Sequence, residues 1–251
     1  MKGEEQLWTI LNDKLDTLRA TNRLPQAIRV AETALEIAKR AFRGTELPLA
    51  TSFEKLGQLL DQKGDRAAAK GYLLKAHAIL EKVNPPDQRA IYRSARRLAF
   101  LCDSLGQSEE AVNFYQKAIA AGTEIELGPD HPDVASVLNN LAVFYTNERR
   151  FTEAEKIHLR ALAIRENLDP LPLADIAQSK CNLAVVYHSR GDYAKAAELY
   201  QASLKIWEQV EDKPSKDYEI VVSNYADLLR SLGQVRKAHQ LEVRARKKRS
   251  G

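Results

Sequence analysis

The stretch "LGPDHPDVASVLNNLAVFYTNERRFTEAEKIHLRALAIRENL", which runs from Leu127 to Leu168, decides the fold. A second segment, "CNLAVVYHSRGDYAKAAELYQASLKIW" from Cys181 to Trp207, repeats its alanines, tyrosines and asparagines in the same order. Neither segment carries a metal cluster or a phosphate-binding loop. Self-similarity at a fixed spacing is the sequence signature of a repeat architecture.

The period extends over the whole chain. Six alanines recur at steps of 42, 42, 43, 42 and 42 residues, and we number the repeat so that they occupy position 20: Ala27, Ala69, Ala111, Ala154, Ala196 and Ala238. Position 8 is then small in five of the six copies, and position 27 is small in all six. Position 15 is glycine in four copies, with Asn22 and Arg149 in the other two.

These positions describe a helical hairpin. Positions 4, 7, 8 and 11 share one face of a first helix, and positions 20, 24, 27 and 28 share one face of a second. Small residues at positions 8, 20 and 27 let the two helices approach closely. Glycine at position 15 suits a left-handed residue that ends the first helix. Eight of the nine prolines fall between the hairpins, and Pro25 falls at the start of a second helix, where proline is tolerated.

The pattern resembles the tetratricopeptide repeat in its 42-residue, kinesin-light-chain-type form, and the repeats centred on Ala154 and Ala196 match best. The resemblance implies an all-α fold, a right-handed α-solenoid of six hairpins in a single domain covering residues 1–251. The predicted repeats cover approximately residues 6–43, 48–83, 88–126, 132–168, 173–210 and 216–249. The first repeat departs most, with Lys14 and Leu15 at positions 7 and 8.

Composition excludes several classes of protein. No run of about 18 apolar residues could cross a membrane. Two cysteines, Cys102 and Cys181, stand far apart in the sequence, which indicates a reducing compartment and a cytoplasmic location. The net charge is +4, but Arg244–Arg249 carries five positive charges, and the rest of the chain carries −1. A body so close to neutral argues against a general nucleic-acid binder.

No catalytic or cofactor motif is present. The sequence lacks HExxH, CxxC, Walker and dinucleotide-binding patterns, so we predict no enzyme activity, no metal, no cofactor and no small-molecule substrate. Serines beside Asp or His in "LCDSLGQ" and "VYHSRGD" fall in the turn of the hairpin, where a helix end explains them.

The resemblance implies a concave groove built from first helices, and function is expected there. Positions 2, 5, 6, 9, 12 and 13 lie opposite the buried face and are predicted to line the groove. Position 6 reads Asp13, Lys55, Arg97, Asn140, Asn182 and Asn224, and a side-chain amide can both donate to and accept from a peptide backbone. Cations beside such amides would select acidic side chains or a terminal carboxylate. The candidate groove residues are Lys55, Arg93, Arg96, Arg97, Asn139, Asn140, Asn182 and Asn224.

We therefore predict a scaffold that binds an extended, acidic or carboxylate-ended peptide of a protein partner. Two other interpretations stay open. The asparagines could bond neighbouring turns of the protein itself, and the chain could be a regulatory or adaptor subunit that binds a folded partner through its convex or edge surface. The basic run Arg244–Arg249 could contact nucleic acid or an anionic membrane, but cations at a helix C-terminus also favourably face the helix dipole. We expect neither nucleic acid nor membrane as a partner.

Overall fold

The computed structural model describes residues 2–42, 46–125, 128, 130–210 and 215–250, and within these ranges the secondary structure is entirely helical. The helices are α1 (Lys2–Ala20), α2 (Leu24–Ala41), α3 (Leu47–Lys63), α4 (Arg66–Leu80), α5 (Gln88–Ser104), α6 (Ser108–Glu124), α7 (Pro132–Asn147), α8 (Phe151–Glu166), α9 (Leu173–Arg190), α10 (Tyr193–Val210), α11 (Lys216–Ser231) and α12 (Val235–Ser250). Each predicted repeat contributes one consecutive pair of these helices.

The first helix of every hairpin ends in the same way. All six residues at position 15 have a positive φ, from 55° at Asn22 to 92° at Gly191, and Arg149 has a φ of 59°. The next residue, at position 16, donates its backbone N–H to the carbonyl of position 11, at 2.8–2.9 Å in all six repeats. This is the six-to-one bond of a Schellman motif. The predicted left-handed helix end is therefore present, including where the residue is not glycine.

Short polar side chains begin several of the helices. The Asp65 carboxylate accepts from the backbone N–H of Ala68 at 3.2 Å, and Asp87 accepts from Ala90 at 3.0 Å. Ser215 accepts from Tyr218 at 3.2 Å. Such caps satisfy donors that the first turn of a helix leaves free. Pro25, Pro48 and Pro132 lie in first turns, whereas Pro129 and Pro214 are outside the described residues.

Small residues bring the two helices of each hairpin together, as predicted. The six alanines at position 20 are all 0% exposed. At Gly57, position 8 of the second repeat, a Cβ atom would lie 2.8 Å from Leu73 Cγ, so that α3 and α4 approach too closely for any side chain. In the first repeat, the departure from the pattern is absorbed because Leu15 is buried at position 8, while Lys14 is exposed.

The chain forms two compact units, residues 1–129 and 130–251. In the first unit, Leu59, Leu73 and Leu98 are fully buried. In the second unit, the core includes Tyr200, Trp207 and Tyr218, and the first helix α9 contacts both α7 and α11. No helix in the described ranges has the length and hydropathy needed to cross a membrane.

Candidate functional site

Three arginines share the solvent-facing side of α5 in the first unit, and we call Arg93, Arg96 and Arg97 the arginine face. Arg93 and Arg96 are exposed, and Arg97 is half-buried. The Arg96 guanidinium lies 5.7 Å from the centre of the Tyr92 ring. Among the described residues, none of the three forms an ion pair with a carboxylate.

Arg97 is the most desolvated member of this face. Its Nε is buried and has no hydrogen-bond partner in the described structure. Burial lowers the pKa of the guanidinium, and the carboxylates of Glu54 and Asp61 on α3 oppose that shift. A half-buried cation with an unused donor is costly unless an acceptor reaches it, which makes Arg97 a suitable contact for an anionic group.

Lys55, predicted beside these arginines, already has a partner. Its Nζ donates to both carboxylate oxygens of Asp16 on α1, at 3.2 and 3.1 Å. The Lys55 side chain is 20% exposed and that of Asp16 is 58% exposed. The pair joins two neighbouring first helices, α1 and α3. Lys55 is therefore less available to an acidic group of a partner than the arginines of the arginine face are.

The position-6 asparagines of the second unit, which we call the asparagine ladder, are Asn140, Asn182 and Asn224. Asn182 Nδ2 donates to Asn139 Oδ1 at 3.0 Å, across from α9 to α7. Asn139 itself is only 6% exposed. Asn139 therefore positions Asn182 and does not present an open amide, which departs from its predicted place in the groove wall.

The same link recurs one repeat later. Asn224 Nδ2 lies 3.9 Å from Cys181 Sγ, so a position-6 amide again points to position 5 of the preceding first helix. This is the neighbouring-turn role that sequence left open for the asparagines. It uses one hydrogen of each Nδ2, and a second N–H and the carbonyl oxygen are still available. Asn140 is exposed, and its amide has no protein partner in the described part of the chain.

A Ser–His–Glu arrangement occurs in the first unit, on the buried side of α5. The Ser94 Oγ lies 2.6 Å from His77 Nδ1, and His77 Nε2 lies 3.3 Å from Glu81 Oε1. Ser94 is 1% exposed and donates its hydroxyl hydrogen to the Ile91 carbonyl at 3.1 Å. A nucleophile must reach a substrate, and Ser94 is too deeply buried to do so.

Sequence reasoning missed the structural role of Ser94. Three first helices carry a buried serine at position 3, and each serine binds a side chain of the preceding repeat. Ser52 accepts from Trp8 Nε1 at 2.8 Å, and Ser179 accepts from Arg165 Nη1 at 2.5 Å. The signal was available, because a small polar residue recurs in an otherwise apolar stripe.

Both cysteines are buried. Cys102 and Cys181 are free thiols, and burial raises the pKa of each to about 11, which leaves them protonated. Within the described residues, His, Cys, Asp and Glu form no group of three that could hold a metal ion. The arginine face and the asparagine ladder are thus the two surfaces with unused hydrogen-bonding groups that the sequence singled out.

Comparison with known proteins places this repeat pattern in context. The tetratricopeptide repeat family model matches residues 9–82, 88–168 and 175–249. A kinesin light chain-related protein of Arabidopsis thaliana, KINESIN LIGHT CHAIN-RELATED 3, is 29% identical over 145 residues, which cover 58% of this chain and 22% of that protein. The chain thus spans less than a quarter of that relative's length.

Solved structures share the fold. BtubC (BKLC) from P. vanneervenii superposes with a TM-score of 0.75 at 25% identity, over 90% of this chain and 91% of its own. A Podosopora anserina protein with nearly identical TPR-like repeats, described as a kinesin light chain, gives a TM-score of 0.70 at 20% identity, over 84% and 99% of the two chains. The predicted all-α fold class and the kinesin-light-chain-type resemblance are confirmed.

Proposed function

The chain belongs to the tetratricopeptide repeat family, and on this basis we propose that it is a non-enzymatic scaffold for an extended, acidic or carboxylate-ended segment of a protein partner. The family generally mediates protein–protein interaction, so binding of a protein is the broad function. The finer proposal concerns what is bound and by which residues.

The arginine face carries the proposal. A guanidinium binds a carboxylate through two parallel hydrogen bonds, and it does so best where water is partly excluded. Arg97 meets this condition because its Nε is buried and has no partner among the residues that the structure describes. Arg93 and Arg96 on the same helix add positive potential that would attract an acidic segment before contact.

The asparagine ladder would bind the backbone of such a segment. Asn182 is fixed by its hydrogen bond to Asn139 on α7, and Asn224 is directed by its weaker contact with Cys181 Sγ on α9. A fixed amide loses little side-chain entropy when it pairs with a peptide group. In the described part of the chain, the amide NH2 and the carbonyl oxygen of Asn140 are both free for the same purpose. Backbone recognition of this kind is independent of the partner's side chains, whereas recognition by the arginine face selects for negative charge.

The test is partner capture from native lysate with wild type and two single variants. Arg97→Glu reverses the charge of the arginine face, and Asn182→Ala removes one ladder amide. We expect both variants to lose capture while their helical content and melting temperature stay near those of wild type. Arg29→Glu, the same change at an exposed position on the second helix α2, is the control and should capture normally.

A further variant separates ligand contact from positioning. Asn139→Ala removes the bond that holds Asn182 but leaves the Asn182 amide in place, so we expect weakened capture and not complete loss. If Arg97→Glu and Asn182→Ala both capture as wild type does, the peptide proposal fails. A partner retained in that experiment would be bound through a convex or edge surface, as expected of an adaptor subunit.

A further inference from the structure

A cavity of about 110 Å³ lies in the second unit, between α9, α10 and α11. Cys181, Trp207 and Val221 form its floor, and Gln178, Asp217 and Ile220 surround its mouth. Asn182 of the asparagine ladder is part of its wall. Water occupies about 30 Å³ per molecule in the liquid, so the cavity has room for one side chain.

The floor of this cavity is apolar and uncharged. Cys181, Trp207 and Val221 are 4%, 4% and 2% exposed. The Cys181 thiol stays protonated at neutral pH because burial raises its pKa to about 11. At the mouth, Ile220 leaves 53% of its surface in solvent, so an apolar side chain also borders the opening. Such a lining favours an aliphatic group.

A negative charge at the mouth of the cavity disfavours an acidic ligand. Asp217 is the one charged residue among those that line the cavity. It lies in the first turn of α11, where the N-terminal end of the helix stabilises a carboxylate. Asp217 therefore needs no cationic ligand, and it repels an acidic side chain. Its oxygens can accept a backbone N–H from a peptide at the mouth.

We propose that this cavity is a specificity pocket that takes one aliphatic side chain, such as leucine, from the bound partner segment. The proposal rests on the proposed peptide-binding function and adds a residue preference to it. The aliphatic side chain of the partner fills the space above Cys181 and Val221, and Ile220 covers it from the side. Asp217 excludes an acidic residue from this place, although acids are preferred at the arginine face.

The two tryptophans provide a direct assay. Trp207 lines the cavity, whereas Trp8 is in the first unit and donates its indole N–H to Ser52 Oγ. The 251-residue chain labelled with ¹⁵N is titrated with N-acetyl-leucine methylamide, and the two indole N–H signals are followed by NMR. We expect a saturable shift of the Trp207 signal with an affinity in the millimolar range, as for other small fragments, while the Trp8 signal stays in place.

Three further probes define the selectivity. The glycine, aspartate and lysine methylamides should each move the Trp207 signal at least fivefold less than the leucine compound at equal concentration. Ile220→Glu, which places a charge at the mouth, should abolish the leucine response. Ile10→Glu, the same change at a site on α1 that is 61% exposed, should leave it intact.

A Trp207 signal that does not move up to the solubility limit of the leucine compound would overturn the pocket. An equal or larger response to the lysine compound would overturn its aliphatic preference. Neither result depends on partner capture by the arginine face, so the pocket and the peptide-binding function can fail separately.

Discussion

Single buried polar residues fix the contacts between neighbouring repeats. Arg165 on α8 is 4% exposed and has no ion pair among the described residues. Its Nη1 instead donates to the Asp175 carbonyl at 3.0 Å and to Ser179 Oγ at 2.5 Å. A buried guanidinium that is held by neutral acceptors depends strongly on each of them, because an unsatisfied charged donor retains its full desolvation cost.

We therefore expect Ser179→Ala to lower the free energy of unfolding by about 2 kcal/mol, since the alanine leaves one Arg165 donor without its acceptor. Ser223→Ala, at an exposed position of α11, should change it by less than about 0.5 kcal/mol. Urea unfolding followed by circular dichroism measures both. Equal stability of the two variants would show that Arg165 finds another acceptor.

His158 differs from Arg165, because neither of its ring nitrogens has a hydrogen-bond partner among the described residues. It is 1% exposed, and burial, aided by the charge of Arg165, lowers its pKa to about 4. In the unfolded chain the same imidazole has a pKa of about 6.5, so below that pH the unfolded state binds more protons. The buried neutral His158 therefore does not lower the free energy of unfolding above pH 6.5. As the pH falls from 6.5 towards 4, the free energy of unfolding decreases, because the unfolded chain takes up the proton.

Replacing this histidine should flatten the acid limb of the stability curve. Between pH 7 and pH 4, wild type should lose about 3 kcal/mol more than His158→Leu, from a pKa difference of about 2.5 units. Denaturant unfolding at several pH values measures the difference. Burial also lowers the pKa of His77 and His188. Because wild type and His158→Leu both keep those residues, only the difference in stability between the two proteins reports on His158. A constant difference from pH 7 to pH 4 would contradict the assignment to His158.

At the scale of the helix, the sequence predicts most of what the structure contains, because backbone geometry selects residue types. The left-handed position 15 admits few residues, and the close approach at Gly57 admits only one. Both constraints can therefore be recognised from the residue types that recur at these positions of the repeat. The direction of a polar side chain on a helix is less restricted, so the burial of Asn139 and the partner of Lys55 could not be predicted. Those depend on the neighbouring helix, whose side chains the local pattern does not specify.

Arg149 tests the geometry of the helix end. A non-glycine residue in the left-handed region lowers the stability of the folded state by about 1–2 kcal/mol. Glycine removes this strain, but it also raises the entropy of the unfolded chain, which offsets part of the improvement. We expect Arg149→Gly to raise the free energy of unfolding by about 0.5 kcal/mol. Gly191→Ala, at the same position of the next repeat, has open space around its Cβ and should lower it by about 1 kcal/mol through backbone strain alone. Thermal and urea unfolding of both variants measure the two signs, and a destabilised Arg149→Gly would contradict the strain argument.

At the scale of the whole molecule, the arginine face and the basic run on α12 are two groups of cations with different surroundings. The arginine face carries cations without carboxylate partners in the described structure. On α12, by contrast, Arg244 Nη2 pairs with Glu208 Oε1 at 2.9 Å, and Lys248 lies 5.5 Å from the centre of the Tyr218 ring. The side chain of Arg249 is outside the described residues. Two cations of the basic run thus already have partners within the second unit. This favours the interpretation of the run as the solvated C-terminal end of a helix over a nucleic-acid contact.

These surroundings predict separate effects on two kinds of binding. Deleting residues 244–251 removes five positive charges, so the chain should elute from heparin at a lower salt concentration, since nonspecific anion binding follows the number of cations. Partner capture should be unchanged, because the arginine face is intact. Arg97→Glu should abolish capture, whereas its effect on heparin elution should be smaller than that of the deletion, because it changes the net charge by two and the deletion changes it by five. Lys247→Glu, a change at an exposed residue of α12 that keeps the helix complete, should shift heparin elution in the same direction as the deletion, by less. Loss of capture in the truncated chain and in Lys247→Glu would assign the partner to α12 and remove the arginine face from the proposed function.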